Sequence, residues 1–157
     1  MPSKEAIQKL IAARGAGIRA ASEKRDVDDL MSWYSKDAVF TNVFNNYTLE
    51  GIDAVRGMYA HVYKAIPSFK ISDGGATGFT PEFVAAEMTC EGTAAVDLPQ
   101  MGWKAGETMI MTGVSLFWFR WEGEGDEWDG SLSDEDVHGW KIIRERAYFQ
   151  FTKQASE

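Results

Sequence analysis

GIDAVRGMYAHVYKAIPSFKI, residues 51–71, changes its period partway along. From Ile52 the apolar side chains return every third or fourth position, at Val55, Met58, Tyr59, Val62 and Ile66, which places them on one side of a helix. Gly51 opens that helix, and Pro67, which has no N–H to continue the ladder, stands beyond its end. After Pro67 the helical period does not come back. Phe69 to Ile71, Phe83 to Ala95, Gly106 to Trp121 and His138 to Thr152 read as strands, separated by glycines and by Pro81 and Pro99.

Upstream of residue 51 the chain is mostly helical. Ala6, Ile7, Leu10, Ile11, Gly17, Ile18 and Ala21 share one side of a helix over about residues 4 to 24. Asp26 is placed to cap a second, short helix whose face carries Val27, Leu30, Met31 and Tyr34. Ala38 to Val43 then reads as a strand, Asn45-Asn46 as a tight turn, and Tyr47 to Leu49 as a short return strand. Three helices followed by long strands, without strand–helix alternation, predict an α+β domain with the helices on one face of a curved, mostly antiparallel sheet. No internal repeat or linker divides the chain, so residues 1–157 are read as one domain.

Composition narrows the function classes. At 45% apolar and 25% charged residues the chain has the make-up of a folded globular domain, which excludes disorder. Its one cysteine, Cys90, cannot close an internal disulfide, and Lys4, Glu5, Lys9, Arg14 and Arg19 interrupt the start where a signal peptide needs an apolar run. A cytoplasmic protein is the expectation. Met109 to Phe119, the longest near-apolar run, is too short for a membrane span. The net charge of −8 is local: eight acids lie between Glu122 and Asp136, and the remaining 16 equal the 16 Lys and Arg. Residues 122–138 are therefore read as an acidic, solvated hairpin extension. Neither part offers a basic stripe, so no nucleic-acid partner is expected.

Trp33-Tyr34-Ser35-Lys36-Asp37-Ala38-Val39-Phe40, Gly51-Ile52-Asp53-Ala54-Val55 and Gly139-Trp140-Lys141-Ile142-Ile143 resemble the recurring motifs of the SnoaL-like proteins. The likeness in element order extends over about residues 5 to 152. It implies the cone-shaped nuclear-transport-factor-2-like fold, with a deep pocket between the helices and the concave face of the sheet. Relatives of this kind serve as cofactor-free cyclases, isomerases, dehydratases and epoxide hydrolases, while others only bind or dimerise. Homodimerisation through the sheet is also implied. Fold by itself does not settle function.

Two charges break the apolar patterns. Arg14 falls near the middle of the apolar arc of the first helix, where a group that stays ionised must meet a carboxylate, reach a cavity, or snorkel to the sheet rim. In the last strand, alternation puts Glu145 with Ile143, Ala147, Phe149 and Phe151 on the core face. A carboxylate there is desolvated, which raises its pKa toward the range useful for acid/base catalysis. Tyr59 and Tyr63 lie on or beside the buried arc of the third helix and suit a pocket wall or a core. His61 lies off that arc and reads as a surface residue; His138, before Gly139, reads as a turn residue.

Asn42 occupies, by resemblance, the place of the catalytic carboxylate of ketosteroid isomerases. An amide cannot take a proton, and Ile18 stands where those enzymes carry a tyrosine, so that activity is not expected; Asn42 is left as a hydrogen-bonding contact to substrate. The connection from Val96 to Ala105 carries Leu98, Pro99, Met101 and Trp103, unusually apolar for a hairpin tip, and is read as a lid with Trp103 against the substrate. The strand from Thr108 to Trp121 is apolar on both faces, Ile110, Val114, Leu116 and Trp118 opposing Met109, Met111, Phe117 and Phe119, so both faces should be covered. One cysteine and two distant histidines do not make a zinc site, and no metal or cofactor is expected.

These residues support an expectation of a cofactor-independent acid/base enzyme, a cyclase, isomerase or dehydratase, acting on a hydrophobic ring-containing intermediate. Glu145 would be the acid or base, Arg14 the oxyanion support, and Asn42, Tyr59, Tyr63 and Trp103 the substrate contacts. Two alternatives stay open. One is a non-catalytic binding or dimerisation module with Arg14 and Glu145 ion-paired in a filled core. The other is an epoxide hydrolase with Glu145 activating water, although the aspartate–arginine–aspartate relay of such relatives is not found.

Overall fold

A computed structural model describes residues 1–154. Helix α1 (Lys4–Lys24) starts where the Ser3 hydroxyl accepts the Ala6 N–H, and stops where Arg25 turns into the left-handed region at φ 54°. Helix α2 (Val27–Met31) is capped by Asp26, which accepts the Asp29 N–H. It is shorter than the apolar spacing suggests, because Tyr34 already belongs to strand β1 (Tyr34–Asn42). Strand β2 (Tyr47–Glu50) returns beside β1, and α3 (Ile52–Ala65) follows from Gly51, whose φ of 86° favours glycine. The rest is β3 (Lys70–Thr80), β4 (Phe83–Thr93), a 3₁₀ turn at Pro99–Met101, β5 (Thr108–Trp121), α4 (Asp134–Gly139) and β6 (Trp140–Lys153).

The six strands form one sheet in the order β2-β1-β6-β5-β4-β3, and only the β1–β6 pair is parallel. The sheet is open rather than closed on itself: β2 and β3 are its edges, α1 packs against β3, and α3 packs against β1. Between these two helices the inner face of the central strands is left partly uncovered. Leu10 of α1, Leu30 of α2, Val55 of α3 and Ile142 of β6 are fully buried, each contributing roughly 1.5–3 kcal/mol by leaving water. Among the described residues no helix is long and apolar enough to cross a membrane.

Two expectations need correction here. The acidic segment is not a plain solvated hairpin. Ser133 caps α4 by accepting the Asp136 N–H, Trp128 is buried against Trp140, and His138 stacks on Trp33 with ring centroids 3.9 Å apart instead of serving as a turn. The acids still face water, but the segment is anchored by its one tryptophan and its one histidine. The second correction concerns β6. Trp118 pairs with Arg144 while Phe119 pairs with Ile142, so Ile143 is an extra residue without an opposite number. Such a bulge resets the alternation. Ile142, rather than Ile143, joins Glu145 on the inner face.

Candidate functional site

A cavity of about 490 Å³ lies between α1, α3 and the inner face of the sheet. Its floor comes from the central strands, and α1 and α3 supply opposing walls, with Ile11, Gly15 and Ile18 on one and Met58, Tyr59 and Tyr63 on the other. Apolar atoms make most of that lining, which fits an apolar occupant better than a polar one.

Glu145 sits in the floor at 3% exposure, with Phe40 of β1 and Phe117 of β5 as its partners in register. Its Oε1 accepts the Tyr34 hydroxyl at 2.6 Å and the Tyr59 hydroxyl at 3.1 Å; Oε2 accepts the Ser115 hydroxyl at 3.1 Å. Burial raises the carboxyl pKa above its ordinary value, and the three hydroxyl donors only partly oppose that rise. The same burial, reinforced by the Glu145 charge, holds the Tyr34 and Tyr59 phenols well above 10, so both stay protonated. The two phenol oxygens are 3.3 Å apart. Each phenol has one proton, so while both donate to an ionised Glu145, that phenol–phenol contact carries none.

Of the residues singled out in the sequence, Arg14, Asn42, Tyr59, Tyr63 and Glu145 all line this cavity. Tyr63, one turn along α3 from Tyr59, has its ring 6.0 Å from that of Tyr59, and burial pushes its phenol up to about 12. Asn42 ends β1, and its Oδ1 accepts the Asn45 N–H at 2.9 Å, so this side chain builds the turn as well as the wall. Trp103 is a correction. It is buried away from the cavity with Ala65, Ile66, Leu98 and Met109, and its Nε1 donates to the Glu107 carbonyl at 2.7 Å. An indole with its donor satisfied in a side cluster is an anchor for the loop; Met101 of that loop reaches the cavity. His61 is exposed.

Arg14 and Glu145 do not form an ion pair. The Arg14 guanidinium, 1% exposed, lies against the face of Phe119 with Cζ 3.4 Å from the ring centroid. Its Nη1 donates to the Pro81 carbonyl at 2.8 Å, and its Nη2 is buried with no hydrogen-bond partner. Burial pushes its pKa down to about 9, with the charge of Glu82 acting the other way, so it remains a cation at neutral pH.

Sequence reading missed Tyr34 and Ser115. Tyr34 fits the apolar face of α2 equally well, and only the early start of β1 swings its hydroxyl to Glu145. Ser115 shares the inner face of β5 with Phe117, and that parity is visible in the sequence; what hides its role is that Glu145 is 30 residues away along the chain.

Comparison with known proteins agrees with the fold. A family model described as a SnoaL-like domain matches residues 17–125. That span includes Tyr34, Asn42, Tyr59, Tyr63 and Ser115, and leaves out Arg14 and Glu145. Among solved structures, a candidate polyketide cyclase from Silicibacter sp. is 17% identical with TM-score 0.68, covering 89% of this chain and 88% of that one. A candidate isomerase from Bacillus subtilis is 17% identical with TM-score 0.61, covering 90% and 87%. A candidate hydroxylase from Streptomyces galilaeus is 14% identical with TM-score 0.61, covering 88% and 79%. At such identities the likeness is one of fold. No curated protein matches the sequence.

Proposed function

Because this chain belongs to the SnoaL-like family, whose shared fold spans several activities, we propose from its own side chains that it is a cofactor-independent acid/base enzyme acting on a mostly apolar, ring-containing small molecule. The observation that carries this reading is Glu145: a carboxylate buried in the floor of an apolar cavity, with a raised pKa and two phenols on one oxygen. Solved neighbours described as a candidate cyclase and a candidate isomerase are consistent with it.

Both Tyr59 and Glu145 line the cavity, and Tyr59, which donates to Glu145, is the more accessible of the two. A proton leaving substrate passes to the Tyr59 oxygen as the Tyr59 proton passes to Oε1. The phenolate never accumulates, because Tyr59 titrates far above neutrality, and the net change is one proton moved from substrate to Glu145. The reverse transfer returns it at another atom of the substrate. Such an apparatus suits isomerisation, cyclisation or elimination, with Arg14 supporting negative charge that develops on a substrate oxygen. Tyr63 and Asn42 shape and orient the occupant.

The test is turnover of a genuine substrate by Glu145→Gln. The amide keeps the shape and one acceptor but cannot exchange a proton, so kcat falls by about 10²–10⁴-fold. Turnover at the wild-type rate would sink the assignment. A second reading has one observation in its favour: Glu145 already accepts three hydroxyls and could serve only to pin Tyr34 and Tyr59 in a binding pocket. Under that reading Tyr59→Phe changes affinity and leaves no chemistry to lose. We also propose that the protein is a homodimer through the outer face of the sheet, where Ile110, Val114, Leu116 and Trp118 are only half-buried.

A further inference from the structure

Arg14 is the most buried cation of the chain and has no ion-pair partner among the described residues. Arg19, its neighbour on the same cavity wall, is half-exposed and paired with Glu23 at 3.0 Å. The contrast matters because holding a charge out of water without a contacting counter-charge is costly, and a buried donor without an acceptor adds to that cost. Phe119 offsets part of the first cost through its ring face, and the Pro81 carbonyl engages Nη1. Nothing engages Nη2. Glu145 does not supply the missing charge either: its hydrogen bonds go to three hydroxyls, and Phe117 and Phe119 lie at successive inner-face positions of β5, the first opposite Glu145 and the second beneath Arg14.

We propose that the cavity selects a monoanionic ligand, an apolar ring system carrying a carboxylate whose oxygen accepts from Arg14 Nη2. This rests on the reading above in placing the substrate in the cavity, and it adds the substrate class, a ring-containing acid, so that Arg14 anchors a charge the substrate already carries in place of one that develops during reaction. An oxygen at Nη2 supplies the acceptor that the empty protein lacks, and brings into contact a counter-charge that the exposed Glu82 supplies only from a distance. The ring system then extends along the apolar floor toward Tyr59 and Glu145. Four methionines, Met58, Met88, Met101 and Met111, line the cavity, and their unbranched side chains let its outline adjust to the ring system.

Calorimetric titration with matched pairs of acid and methyl ketone tests this: benzoate and acetophenone, 2-naphthoate and 2-acetonaphthone, and the corresponding three-ring pair. Each pair shares shape and differs in charge. Wild-type protein is expected to bind at least one acid about tenfold or more tighter than its ketone. Arg14→Met, which replaces the cation by an apolar chain of similar reach, is expected to bring each pair to within about twofold, with the acid losing far more affinity than the ketone. Arg19→Gln should keep the preference. Arg14→Lys retains the charge without the planar fork, and is expected to keep part of it; it also serves if the methionine variant does not fold.

If no acid binds better than its ketone, including the case in which no pair binds, the inference is wrong. It is equally wrong if the Arg14 variants keep the full preference. An acid preference that survives while Glu145→Gln turns over normally would remove the proton-transfer reading and leave this one standing. Loss of turnover in Glu145→Gln with no acid preference would do the opposite.

Discussion

Glu145 joins two sides of this molecule, since the burial that makes its carboxyl useful also makes it a liability to the fold. Its pKa is raised in the folded protein, with burial as the largest cause, so between the ordinary carboxylate value and the raised one the folded state binds more protons than the unfolded state. Stability from this group is therefore fully present below about pH 4.3 and is lost as pH rises through the folded value. Glu145→Gln removes the linkage, because the amide carries no charge to desolvate while its carbonyl accepts from Tyr34 or Tyr59 and its NH₂ faces the Ser115 oxygen. Urea titrations at pH 4 and pH 8 should show the variant close to wild type in acid and more stable by roughly 1 kcal/mol or more at pH 8. A stability difference that does not change with pH would mean that burial does not hold the proton on Glu145.

At the scale of elements, the seating of α1 depends on one missing side chain. A Cβ at Gly17 would stand 2.4 Å from Cζ2 of Trp33, which is itself held on the other side by His138 of α4. Alanine at position 17 gains about 1 kcal/mol of helix propensity but has to displace a buried ring, an overpacking cost of about 1–3 kcal/mol. Gly57, exposed in the middle of α3, meets nothing within 4 Å where its Cβ would be. The same substitution should thus have opposite signs: Gly17→Ala lowers the urea midpoint and Gly57→Ala raises it, by up to about 1 kcal/mol for the latter. Equal stabilisation at both positions would show that α1 does not rest on Trp33.

These elements also explain what could be read from the chain beforehand. The helix α3 and the long strands β4, β5 and β6 announce themselves through period and punctuation, and the inward parity of Glu145 survives because the bulge at Ile143 lies before it in β6. Three features resist such reading. Strand β3 extends to Thr80 through a polar, glycine-containing stretch because it is a sheet edge covered on one side by α1, so it needs no apolar alternation. Helix α4 has too few residues to show a period, and the ring its His138 stacks on, Trp33, lies far back along the chain between α2 and β1. Tyr34 stands at a boundary where helix and strand patterns overlap, and its place on Glu145 follows from the parallel pairing of β1 with β6, which no local pattern encodes.

For the molecule as a whole, the question is what covers the other face of the sheet. Leu116 of β5 lies between Ala85 of β4 and Arg146 of β6, and Trp118 lies between Phe83 and Arg144, whose guanidinium sits 5.0 Å over its ring. Val114 pairs in the same way with Tyr148. These positions belong to the middle strands of the sheet, and Phe83 is exposed. A central patch of aromatic, branched aliphatic and arginine side chains has the composition of an interface core, and a patch that meets its own copy across a two-fold axis needs no second gene product. Sedimentation equilibrium should show a concentration-dependent dimer. Leu116→Arg places a further guanidinium from each copy beside Arg144 and Arg146 near the centre of that contact, and is expected to yield a monomer with unchanged far-ultraviolet circular dichroism, because the side chain faces away from the cavity and the folded core. A wild-type protein that sediments as a monomer at every concentration would overturn the dimer, and would leave this face as an apolar surface open to a different partner.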